Sequence, residues 1–273
     1  MKAIDYVTLG RRLQMAHETA CQPVCRKYDL NTDDAHGAAV LFAVLQLFCT
    51  VTLIACVARK KMMNVGACFA SMGLLCAPWL FERLFHVRLG AKLKCVLLLY
   101  AVAGPVGGNV YRLYYLIPWW DKFMHLLCGV VFAMIGYSAP DALEPQNRHG
   151  RAIKRLCAVA TALSIAVLWE FFEFGGDRLL GLDLQNDYYV NSIHSYVLGS
   201  SMGEMGSIEP ITEVIVNGQK LDGYLDIGLI DTMLDMMICF IGSLGFCLQD
   251  ALRKKPFPQQ VVRCERKPAK AES

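Results

Sequence analysis

An all-α, polytopic membrane helix bundle is the fold class this sequence predicts, with about six transmembrane helices and a long outer loop before the last. Three observations predict it. Of the 273 residues, 55% are hydrophobic and only 19% charged, at a mean hydropathy of +0.36. Several uninterrupted apolar runs approach or reach the roughly 20 residues that a helix needs to cross a bilayer. Lys and Arg gather in alternate connections between those runs, the asymmetry expected of a multi-pass protein. The net charge of +3 is too small to argue for nucleic acid. The expected partner is the lipid bilayer, with no nucleic acid.

Taken in order, residues 1–34 form a polar cytoplasmic arm. It carries Arg11, Arg12, Arg26 and Lys27 without a central apolar stretch, so no cleavable signal peptide is read there. Arg11–Tyr28 has the makings of a short amphipathic helix. Cys21 and Cys25 form a possible thiol pair, but no second pair at metal-site spacing accompanies them. Most of the other Cys lie in or beside apolar runs, where they act as small hydrophobes.

Residues 35–250 form the six-span membrane domain. Spans are expected near 35–58, 62–84, 93–116, 121–139, 153–174 and 227–248. Gly104-Pro105-x-Gly107-Gly108 should kink or unwind the third, because Pro removes a backbone donor and crowds the preceding turn. Tyr111, Tyr114, Tyr115, Trp119 and Trp120 read as an interfacial aromatic belt. Residues 175–226 form an outer loop, expected to be a partly ordered cap. Within it Asn217-Gly218, between Val214 and Leu221, suits a type I′ hairpin turn. Residues 251–273 form a basic cytoplasmic tail. Most of the 27 Lys and Arg then fall on the side of the two termini, which predicts a bacterial inner (plasma) membrane protein with both ends cytoplasmic. The outward Arg59-Lys60-Lys61 is the exception.

Three acidic clusters stand at ends of these spans: Asp121 and His125, Glu170 and Glu173, Asp231 and Asp235. Spacings of three or four residues put each pair on one helix face. In this topology all three pairs reach the outer end, so one polar site is expected there. Five carboxylates in one pocket repel each other, and protons, basic side chains or a cation must offset them. Lys122 and Arg178 are the basic candidates. Oxygen donors with one imidazole suit Mg²⁺, Mn²⁺ or Zn²⁺. Such an ion activates water or polarises a phosphoryl or carbonyl oxygen. Asp121 and Asp231 also read as simple helix N-caps. Glu82, at the opposite end, reads as an interfacial residue or a partner of Arg83 or Arg88.

Asp-Lys-x-x-His opening one span, Trp-Glu-Phe-Phe-Glu-Phe closing the next and Leu-Ile-Asp-Thr-Met-x-Asp opening the last resemble the YjdF-type bacterial inner-membrane proteins. These are similar to VanZ-like proteins. The resemblance covers about residues 118–245 and implies a six-span inner-membrane protein. It singles out Asp121, Lys122, His125, Glu170, Glu173, Asp177, Gln185, Asp231 and Asp235. Here the loop from Gln185 to Asp231 looks longer than usual, and Cys239 stands where relatives often carry Asn.

The first expectation is a hydrolase or transferase acting on a lipid or lipid-linked envelope precursor. Asp121, His125, Asp231 and Asp235 would bind the metal, Glu170 or Glu173 would be the general base, and Lys122, Asp177 and Gln185 would contact substrate. The alternatives are non-catalytic: a polar network clamping helices, or a proton- or ion-coupled transporter. No Gly-x-Ser-x-Gly elbow and no His-Glu-x-x-His helix is present.

Overall fold

The structure, a computed structural model, describes residues 34–263. Arg11–Tyr28, Cys21 and Cys25 lie outside the described residues. Helices α1 (Asp34–Ala58) and α2 (Met62–Phe85) lead into strand β1 (Val87–Leu89) and helix α3 (Ala91–Val102). A π-helix (Ala103–Val110) continues α3, and the single turn α4 (Leu113–Leu116) follows. Then come α5 (Trp120–Leu143) and α6 (Arg151–Leu180). After them come β2 (Tyr188–Val190), β3 (Ile193–Ser195), a 3₁₀ turn (Tyr196–Leu198), β4 (Gly206–Ile208), β5 (Val214–Val216), β6 (Gln219–Leu221) and β7 (Tyr224–Asp226). Helix α7 (Leu229–Leu252) and strand β8 (Val261–Arg263) complete the order. Among the described residues, six helical segments are long and apolar enough to cross a membrane.

Two boundaries differ from the sequence reading. The third span ends at Val110 rather than near Leu116. The Gly-Pro segment is a π-helix: Pro105 offers no N–H and three glycines tolerate the wider winding. The fifth span runs to Leu180, past Gly175 and Gly176. A side chain at Gly176 would meet Leu184, so that glycine serves close packing rather than helix termination.

Internal contacts divide the chain into two units, Met1–Leu163 with Cys239–Ser273, and Ser164–Ile238. Helices α6 and α7 run unbroken through the division.

In the first unit, α1, α2, α3 and the π-helix enclose Cys49, Cys56, Cys68, Leu75, Leu98 and Val106. Helix α5 runs antiparallel to the first half of α6. Lys154 Nζ lies 2.7 Å from Asp141 Oδ2, and a side chain at Gly136 would strike the Cys157 carbonyl and Thr161. The same helix runs parallel to the second half of α7. Tyr137 Oη donates to Asp250 Oδ1 at 2.9 Å, and side chains at Gly129 and Gly242 would strike the Cys239 and Leu126 carbonyls.

Asp250 also accepts from Arg155 Nε at 2.8 Å and from the Phe257 backbone at 2.9 Å. Residues beyond α7 thereby turn back onto the bundle. Gln259 Nε2 donates to the Ser138 carbonyl at 2.6 Å, and β8 pairs antiparallel with β1, burying Val261 and Val262. Glu82 is 2.9 Å from Lys94, 3.8 Å from Arg88, and accepts the Leu89 N–H. It is thus a partner of Arg88, as expected, with Lys94 the nearer cation.

In the second unit, the loop after α6 is folded into short antiparallel ladders: β2 with β7, β3 with β4, and β5 with β6. The β5–β6 hairpin turns on Asn217 and Gly218, both at positive φ, as the Asn-Gly pair predicts.

Candidate functional site

In the first unit the candidate residues sit in the opening turns of α5. Lys122 Nζ lies 3.0 Å from Asp121 Oδ2, and His125 Nε2 lies 3.8 Å from Asp121 Oδ1. The spacing of four residues produces the second approach, as expected for one helix face. His125 is buried and Asp121 half-buried. The π-helix backs this turn: Trp120 Nε1 reaches the Ala103 carbonyl at 3.4 Å, and Gly104 leaves room for Met124. The N-cap of α5 is Trp119, so Asp121 is a first-turn residue and not the cap. Its carboxylate is still well placed for the helix dipole.

In the second unit the candidate residues lie at the end of α6, in the loop after it and at the start of α7. Glu170 is buried on α6, and Glu173 Oε1, half-buried, accepts from Trp169 Nε1 at 2.8 Å. Asp177 accepts the backbone N–H groups of Leu184 and Gln185 at 2.7 and 3.0 Å. This carboxylate folds the chain back after α6. The reversal delivers the buried Gln185 side chain, whose Nε2 donates to Glu170 Oε2 at 3.4 Å and to Thr232 Oγ1.

Asp231 Oδ2 accepts from the backbone and side chain of Asn186, at 2.9 and 3.2 Å. Asp231 and Asp235 are 2% and 1% exposed, and burial that deep needs hydrogen-bonding partners to be tolerable. Asp231 lies inside the first turn of α7 and is not its cap. That role falls to Asp226, which accepts the Ile230 N–H at 2.7 Å. Arg178 is exposed, over the ring of Phe174, with 5.6 Å between guanidinium and ring centre.

Three contributors escaped the sequence reading. Asn186 and Thr232 are small polar residues beside stronger signals, Gln185 and Asp231. Gly228 holds φ at +76°, and a side chain there would meet the Cβ of Gln185 at 2.7 Å. A glycine just before a helix was the one legible hint.

A pocket of about 210 Å³ in the second unit is lined by Asp177, Arg178, Leu182, Asp183, Gln185, Asp187 and Ile227. Partial burial, then the charges of Asp183, Asp177 and Asp226, push the Asp187 carboxyl above its ordinary value.

Asp121 and His125 in the first unit, and Asp235 in the second, are of donor types that suit a metal ion: two carboxylates and one imidazole. Among the residues singled out by sequence, Asp121, Lys122 and His125 meet in the first unit. Glu170 and Gln185 meet in the second, where Asp177 shapes the approach.

No curated protein and no solved structure matches the chain. The profile of one family, described as a predicted membrane protein family (DUF2238), matches residues 40–255. An integral membrane protein of six apolar helices, with buried carboxylates and a buried imidazole near helix ends, this chain belongs to that DUF2238 family.

Proposed function

We propose that this protein is an inner-membrane enzyme that binds a divalent metal at its outer face and hydrolyses or transfers a lipid or lipid-linked envelope precursor. Asp121, His125, Asp231 and Asp235 are the ligands, Glu170 or Glu173 the general base, and Lys122 the substrate contact. Asp177 and Gln185 hold the loop that closes over the substrate. The basic residues on the side of the termini favour cytoplasmic ends. The resemblance to YjdF-type and VanZ-like proteins is in keeping with this location.

Helix periodicity supports the reading: Asp121 with His125 on α5, Glu170 with Glu173 on α6, and Asp231 with Asp235 on α7 are pairs three or four residues apart, each on one helix face. A metal held by these ligands would supply a water activated for attack or a polarised phosphoryl oxygen. Glu170 or Glu173 takes the proton of the attacking group, and Lys122 supports charge developing on the substrate.

The test is elemental analysis of the full-length protein purified in detergent. Near-stoichiometric Mg, Mn or Zn is expected, lost in both Asp235→Ala and His125→Ala. Mass spectrometry of lipid-linked phosphates incubated with the protein should show products that need both residues. Protein that holds no metal at neutral pH overturns the assignment.

A second reading makes the same residues a non-catalytic clamp. It is favoured by Gln185, which joins Glu170 on α6 to Thr232 on α7. Under it, amide replacements of the carboxylates lower stability and change nothing else.

A further inference from the structure

Deep in the first unit, two buried cysteines from different helices lie at one crossing, Cys128 on α5 and Cys239 on α7. They are within electrostatic reach of each other. Cys239 Sγ donates to the Ala162 carbonyl of α6 at 3.6 Å.

The two helices approach at their backbones. A side chain at Gly129, next to Cys128, would strike the Cys239 carbonyl. One at Gly242 would strike that of Leu126. Small residues at a crossing allow such contact within a membrane. A disulfide needs Cα atoms about 4.4–6.8 Å apart. A glycine-lined crossing suits that requirement.

We infer that Cys128 and Cys239 are an oxidisable dithiol that closes to a disulfide across α5 and α7. The oxidant class is a small, membrane-permeant peroxide. One thiol sulfur attacks the peroxide, its S–H and the O–O bond break, and a sulfenic acid and water form. The second sulfur then attacks the sulfenic sulfur, the S–S bond forms, and the hydroxyl leaves with the second thiol proton as water. Two thiols and one hydrogen peroxide give one disulfide and two waters. The bond lies one turn from His125 on α5, so closure fixes the spacing of α5 and α7 at that level of the first unit.

A second buried pair supplies an internal control: Cys56 on α1 and Cys68 on α2 share one core. There Gly37, Gly66 and Gly73 meet nothing within 4 Å, so no glycine brings those backbones together.

The experiment treats the full-length protein in native membranes with hydrogen peroxide. Free thiols are then alkylated under denaturing conditions, and the digested peptides are mapped by mass spectrometry. The expected result is a Cys128–Cys239 linked peptide in most chains, reversed by dithiothreitol, with Cys56 and Cys68 alkylated. Oxidised protein should melt at a higher temperature than reduced protein, and Cys239→Ser should abolish the shift. Cys128 and Cys239 both recovered as alkylated thiols, in protein shown to be folded by its melting transition, overturn the inference. So does a Cys56–Cys68 link formed in preference.

Discussion

The two ends of α7 make opposite uses of one kind of residue. A single buried stripe runs along the helix through Asp231, Asp235, Cys239, Ser243, Phe246 and Asp250. At its C-terminal end Asp250 meets the cation Arg155, the Tyr137 hydroxyl and the Phe257 N–H. Nearby Asp141 meets Lys154, and Glu82 meets Lys94. At the N-terminal end, inside the second unit, Asp231 is held by the amides of Asn186. Glu170 there is held by the amide of Gln185. A cation beside a carboxylate neutralises it and fastens the two elements that carry them. An amide donor orients a carboxylate by filling one of its lone pairs.

The largest expected effect breaks this comparison at its cationic end. Asp250→Ala leaves the half-buried Arg155 without its carboxylate, and the Tyr137 hydroxyl and Phe257 N–H without their acceptor, a loss of about 1–3 kcal/mol for each of those two donors. A lower melting temperature in detergent, with easier proteolysis after residue 253, is the expected readout. A wild-type melting temperature would show that the fastening role is wrong.

Next in size is packing between the ends. Gly136→Ala pushes a methyl group against the Cys157 carbonyl and Thr161 and should destabilise by about 1–3 kcal/mol. The same measurement checks it, and metal content per folded chain should not change.

At the amide-held end, Asp235→Asn should cost little stability but abolish metal uptake, whereas Asp250→Asn should do the reverse. Elemental analysis and melting curves on the two proteins, side by side, sharpen the contrast most. Gln185→Ala removes donors to Glu170 and Thr232, at about 1–3 kcal/mol for the acceptors left behind. Amide exchange at residues 182–187 should then quicken.

The smallest effect is electrostatic and lies in the loop. Asp187 has its folded pKa raised, so the folded state binds its proton more tightly than the unfolded chain does. Stability from this group therefore falls as pH rises from the ordinary carboxylate value, about 4, to the raised one. Above that window the loss is complete. Asp187→Asn should flatten that stretch of the pH–stability profile and leave the loop slower to exchange at neutral pH.

Much of this was legible beforehand. The six spans follow from local hydropathy, and the Asn217-Gly218 hairpin from two residues that tolerate positive φ. The pairing of Asp121 with His125 needed only the helical repeat. Other features were hidden because their partners are remote. Val261-Val262 in a basic tail gives no sign that β1, more than 170 residues earlier, is its partner. The span expected near 153–174 gave no sign that α6 continues to Leu180, where Gly176 makes room for Leu184. Lys94 gave no local reason to be preferred over Arg83 as the mate of Glu82.

By itself, then, the sequence determined which segments enter the bilayer and which ionisable residues share a helix face. Both depend on neighbours within a few turns. Tertiary structure alone decided that Asp250 is fastened by Arg155 while Asn186 holds Asp231, and that Gly129, beside Cys128, packs against the Cys239 backbone. Those choices depend on how one helix is registered against another, and side-chain packing between helices, absent from any local pattern, sets that register.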